Sequence, residues 1–129
     1  MHTLIVCLFI ACLLPYLSKV PMAIAMNRQP GGYDNNHPRT QQALLIGFGA
    51  RALAAHQNSF ESLIVFSSAV LTALATQTIN ANTQGLAIGY LIARGIYHLL
   101  YLMNHSTLRS IVWGVSLFCS LGIILLCLM

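Results

Sequence analysis

The chain has 129 residues, the size of one domain, of which 57% are hydrophobic and only 6% charged, with a mean hydropathy of +0.75. A water-soluble domain carries roughly a quarter of its residues as charges, so six Lys/Arg and two Asp/Glu cannot solvate a surface of this size, and the lipid bilayer is the expected partner. The net charge of +4 includes no basic run and no basic stripe with interleaved aromatics, which excludes a nucleic-acid partner and leaves the charges to set membrane orientation.

The expected architecture is a single all-α domain over residues 1–129, a four-transmembrane-helix bundle with helices at 3–26, 38–76, 84–103 and 107–128. The first apolar stretch, 3–26, has the roughly 20 residues needed to cross the hydrocarbon core. A signal peptide is the alternative, but the stretch lacks a basic start and stays apolar past Lys19, so a retained helix is expected. "NRQPGGYDNNHPRTQQ" follows as the one long polar segment, with a polar loop expected at 27–37. Asn35 or Asn36 can cap the next helix, with Pro38 in its first turn.

The second apolar stretch is longer than one crossing requires, and its first part, with "RALAAHQNSFESL", is expected near the cytoplasmic interface. "QTINANTQG" is a short uncharged turn, and "NHST" a tighter one in which Ser106 or Thr107 can cap the last helix. Arg28 and Arg39 lie in the first loop, Lys19 beside it, and Arg109 flanks the third loop. By the positive-inside rule those two loops are cytoplasmic and both termini lie on the far side, in a multi-pass protein of the cell inner membrane. Cys7, Cys12, Cys119 and Cys127 all sit in apolar runs without a C-x-x-C pair, which points to small buried or lipid-facing residues rather than zinc or disulfides.

Polar residues recur at helical spacing within this apolar chain. At 100° per residue Arg51, Asn58 and Ser62 share a face, and Glu61 lies one turn from Asn58, within reach of it. Arg94, Tyr97, His98, Tyr101 and His105 form a second stripe, and Arg109 with Ser110 opens the last helix. The structural reading pairs Glu61 with Arg51, Arg94 or Arg109 as interhelical glue and places the tyrosines in an interfacial belt. One carboxylate cannot neutralise three arginines, however, so the group keeps a positive potential suited to an anionic ligand. His56, His98 and His105 show no metal-ligand spacing, so no metal is expected; His98 can titrate near the site or hydrogen-bond an adjacent helix.

"RALAAHQNSFE", "ARGIYHLLYLMNHSTLRS" and "GGYDNNHPRTQQA" resemble the MAPEG family, the membrane-associated proteins of eicosanoid and glutathione metabolism, in their bacterial form. The resemblance implies a homotrimer binding glutathione as co-substrate between subunits near the cytoplasmic side. It places Asn58, Glu61, Arg94, Tyr97 and Tyr101 on the tripeptide, with Arg51 a candidate beside them, and makes Arg109 the stabiliser of the thiolate, with Ser110 next to it. A neighbouring guanidinium lowers a thiol's pKa, and a thiolate is the nucleophile that an apolar electrophile from the bilayer would meet. The expected activity is thus that of a glutathione-dependent transferase or peroxidase acting on a hydrophobic small molecule or lipid hydroperoxide. The chain departs from the family pattern at Ala54 and Gln57, where arginines can occur, and at Trp113, where some members place a tyrosine. Ala54 favours the competing reading, a non-catalytic trimeric membrane protein that binds a lipid or partner.

Overall fold

Four runs of apolar sequence become four helices long and apolar enough to span a membrane in the computed structural model, which describes residues 1–129. In chain order the elements are α1 (His2–Asn27), a short α2 (Pro38–Ala43), α3 (Phe48–Ala75), α4 (Ala81–Leu102) and α5 (Ser106–Cys127). Every backbone group of a spanning segment must find its partner inside the segment, and a helix does this for residues of any side chain. The molecule is all-helical, a four-helix membrane bundle in which α1 runs along α3 and α4 along α5, with α3 also against α5.

The core is built from small residues where the helices cross. Ala11 of α1, Ala69 and Ala73 of α3, Ala87 of α4 and Cys119 of α5 are buried together with Leu4, Cys7, Val70 and Ile123. Small side chains let helix backbones approach, and in lipid that close packing takes over the role that water exclusion plays in soluble cores. The rings of Phe66 and Tyr90 stack in parallel within this cluster, centroids 3.8 Å apart. Cys7 and Cys119 are buried, Cys12 is exposed, and all four cysteines are free. A second, smaller cluster of Met22, Met26, Leu45 and Ala52 seats the first loop against α3.

The continuous helix expected over 38–76 is instead two helices. Gly47 has φ +54°, a backbone conformation in which a Cβ is strained, and it ends the helical path between α2 and α3. Leu44 and Ile46 are left 69% and 87% exposed at the break. Two residues on, a Cβ on Gly49 would come within 2.9 Å of Leu45 Cδ2 and 3.2 Å of Ala25 Cβ, so this glycine sets the approach of α3 to α1. At 28 residues α3 is still about 42 Å long, some 12 Å more than the hydrocarbon thickness.

The connections also differ from expectation in detail. Neither Asn35 nor Asn36 caps α2; its N-cap is His37, and Asp34 Oδ1 accepts from the amides of Asn36 (2.9 Å) and His37 (3.0 Å). Those bonds, the one from His37 foremost, hold the Asp34 carboxyl below the ordinary carboxylate range. Buried Gln41 staples the whole loop: its Nε2 donates to the carbonyls of Met26 and Gly32, and its Oε1 accepts from the Asp34 amide. α4 starts at 81 rather than 84, because Asn80 Oδ1 caps the amides of Asn82 and Thr83 while Thr83 Oγ1 accepts from the Asn80 amide. α5 begins after His105, without a side-chain cap from Ser106 or Thr107.

Candidate functional site

Helical spacing alone brings the first pair together. Asn58 and Glu61 lie one turn apart on α3, and Asn58 Nδ2 donates to Glu61 Oε2 at 2.9 Å. The bond uses one of the two Asn58 N–H donors and leaves Asn58 Oδ1 buried and without a partner. Glu61 pairs with none of the arginines; the only ion pair in the chain is His37 with Asp34, at 3.9 Å in the first loop. The structural reading in which Glu61 pairs with an arginine is not met within this chain, where its one side-chain bond stays inside a single helix.

The α4 stripe forms a continuous ladder. The Arg94 guanidinium lies over the Tyr97 ring, 4.2 Å from its centroid, and Tyr97 meets Tyr101 edge-on at 5.6 Å. Arg109, at the start of α5, lies over the Tyr101 ring, again at 4.2 Å. Cation, ring, ring and cation thus follow one another from the middle of α4 to the opening of α5, each cation facing the electron-rich side of a ring.

Arg94 is the most demanding residue in the bundle. It is 1% exposed, yet both of its terminal nitrogens, Nη1 and Nη2, lack any hydrogen-bond partner. A charged side chain at mid-helix costs roughly 2.5–3.5 kcal/mol to place in a membrane, and stacking on Tyr97 offsets only part of that, about 0.5–2 kcal/mol. Two buried donors aimed at no acceptor are what a carboxylate would satisfy bidentately.

A cleft of about 190 Å³ opens beside Asn58 and Glu61, between α3 and α5, and none of Arg94, Tyr97, Tyr101 and Arg109 lines it. Asn58, Glu61 and Ser62 form one wall, and Trp113, Ser116 and Ser120 the other. Ser116 and Ser120 were not singled out in the sequence, although two serines four apart on so apolar a helix are a visible signal. Their hydroxyls donate to the carbonyls of Trp113 and Ser116, leaving their lone pairs free. The indole of Trp113, where some MAPEG members have a tyrosine, lines this wall.

The other predicted residues stand apart. Arg51 is half-buried with its Nε unpartnered, and no hydrogen bond joins it to Asn58, Glu61 or Arg94. Ser110 is exposed, and its hydroxyl donates back to the Ser106 carbonyl at 3.0 Å. His98 bonds an adjacent helix, its Nε2 lying 2.9 Å from Ser59 Oγ of α3. His105 is exposed, and nowhere do three His, Cys, Asp or Glu side chains gather as a metal site would need.

A family model described as the MAPEG family matches residues 3–129, essentially the whole chain. No curated protein and no solved structure matches it.

Proposed function

The chain belongs to the MAPEG family of membrane proteins of eicosanoid and glutathione metabolism, and from that premise we propose that it is an integral membrane glutathione-dependent transferase with peroxidase capacity. Its substrates are hydrophobic electrophiles or lipid hydroperoxides drawn from the bilayer. The observation that carries this reading is Arg94, a buried guanidinium over Tyr97 whose two terminal nitrogens have no acceptor. A carboxylate of glutathione supplies that acceptor. The unpartnered Asn58 Oδ1 and the Glu61 carboxylate receive its ammonium, and Tyr97 and Tyr101 flank the peptide.

Arg109 is half-exposed at the other end of the ladder, where its charge is available to a thiolate. The thiol proton passes to solvent, and the sulfur, held beside the guanidinium, attacks the electrophilic carbon. A C–S bond forms as the leaving group departs with its electron pair. With a hydroperoxide the thiolate attacks the terminal oxygen, the O–O bond breaks, and the lipid leaves as its alcohol. A second glutathione then reduces the resulting sulfenic acid, giving disulfide and water. Ser110 has no part in this reading, because its hydroxyl is engaged by its own helix. In the working protein three copies assemble, loops one and three face the cytoplasm, and Arg51 completes the site from its place at the head of α3.

The test is the melting temperature of detergent-purified protein with and without millimolar glutathione, and with an S-alkylated analogue. A ligand that binds only the folded state raises it by mass action, through a gain in stability of about 2.7 kcal/mol at a hundredfold excess over Kd. A rise that Glu61→Gln abolishes supports the site. No rise at saturating ligand sinks it and favours the non-catalytic reading suggested by Ala54.

A further inference from the structure

The last two turns of α1 carry one stripe that changes character along its length. Val20, Ala23, Ile24, Asn27 and Arg28 recur at helical spacing and line a shallow groove of about 430 Å³, with Tyr33 of the first loop as its other wall. Gly31 and Gly32, with φ +85° and +74°, turn the chain back so that Tyr33 packs against the cluster of Met22 and Met26. Val20 and Ile24 are exposed, and so are Asn27 and Arg28. The groove is thus apolar toward the middle of the span and cationic where α1 leaves it.

Arg28 has no counter-charge in the chain, where the one ion pair joins His37 to Asp34. The C-terminal end of a helix carries partial negative charge and by itself repels an anion, so the cation at this cap decides the sign of the groove. A guanidinium's planar fork matches a phosphate bidentately. No acid lines the groove, so an ammonium carried beside that phosphate finds nothing to receive it. From Val20 the exposed apolar stripe continues through Leu17 and Tyr16 to Leu13. Between Ile24 and Leu13 the helix rises about 16 Å, roughly half the hydrocarbon thickness and so the depth of one leaflet's acyl chain. A second copy of this chain fits less well, because its two acids already hold the amides of Asn36 and His37 and the side chain of Asn58.

We propose that this groove seats an anionic phospholipid of the leaflet next to the first loop, its phosphate on Arg28 and one acyl chain along the α1 stripe. The site shares no residue with the α3–α5 cleft or with the ladder from Arg94 to Arg109. It selects phosphatidylglycerol over phosphatidylcholine, whose choline is left without a partner.

The test is the melting temperature of the detergent-purified full chain, titrated with phosphatidylglycerol and with phosphatidylcholine of the same acyl chains, and with glycerol phosphate as a headgroup lacking a chain. The expected result is a half-maximal rise with phosphatidylglycerol at about fivefold lower mole fraction than with phosphatidylcholine, and no rise with glycerol phosphate. Arg28→Gln, at an exposed position, is expected to remove that preference, each variant being read against its own lipid-free melt. Arg39→Gln takes the same charge from the same connection but lies outside the groove, and is expected to keep the preference. Equal loss in both variants means diffuse attraction to charge. An equal response to both lipids, or none, means a surface without headgroup selection, and a full response to glycerol phosphate means an anion site that needs no lipid. Each overturns the proposal, as does a changed elution volume in Arg28→Gln, the sign of a second copy on this face. No thiol enters the experiment, so its outcome is independent of the transferase reading.

Discussion

The first turn and the middle of α4 are built on opposite terms. At its first turn Asn80 and Thr83 exchange hydrogen bonds with each other's backbone. Three turns further on, Arg94 is fully buried with both terminal nitrogens empty, and on α3 Asn58 Oδ1 is buried and empty too. Folding accounts for the first turn, which gains from every bond it makes. It does not account for the middle, where charge is carried into the membrane and left uncompensated. A polar group whose cost the fold does not offset is the physical mark of a site completed by something outside the chain.

That contrast can be broken experimentally. The largest effect expected is on chemistry: Arg109→Ala should lower conjugation by about a hundredfold or more, the scale for losing a group that stabilises developing negative charge, while the elution volume of the detergent-purified protein is unchanged. Full activity in detergent would remove Arg109 from the mechanism. Arg94→Met should abolish the glutathione-induced rise in melting temperature while leaving the ligand-free protein as stable as before or more so, because an unpaired buried charge has been replaced by an apolar side chain. A ligand-free protein that melts markedly earlier would make Arg94 structural and erase the contrast.

Gly49→Ala should destabilise by about 1–3 kcal/mol through the contacts its Cβ would make with Leu45 and Ala25, measured by thermal melting. Asn80→Ala should cost about 1 kcal/mol and leave glutathione affinity untouched, as befits the self-sufficient first turn. Smallest is the acid response of the first loop. The Asp34 carboxyl is held low in the folded state, so its contribution is present above the ordinary carboxylate range and is lost as pH falls through its folded value. Asp34→Asn should flatten that response below about pH 4, read by amide exchange at His37 and Asn36.

Much of this was legible in the sequence. Hydropathy marks all four spans, and 3.6-residue periodicity puts Asn58 with Glu61 and lines up Arg94, Tyr97 and Tyr101, because these depend on one helix at a time. Legibility ends where partners are chosen across the bundle. Glu61 has three arginines available in sequence terms and bonds to none of them, because helix rotation decides which charges meet. The break at Gly47 looks like one more glycine in an apolar run until its φ is known. The hydrogen bonds that link Ser18, His56, Ser59 and His98 join residues up to 41 apart in the chain, with no local pattern to betray them.

Gln41 has a consequence for the life of the protein as well as for its shape. Glycine-, proline- and asparagine-rich segments facing water are where proteases usually cut first. Here one amide side chain ties the end of α1, the Gly32 turn and the Asp34 amide into a single knot. Cleavage between the first two spans therefore has to wait for that knot to open, and the rate of digestion by an added protease becomes a direct clock for its opening.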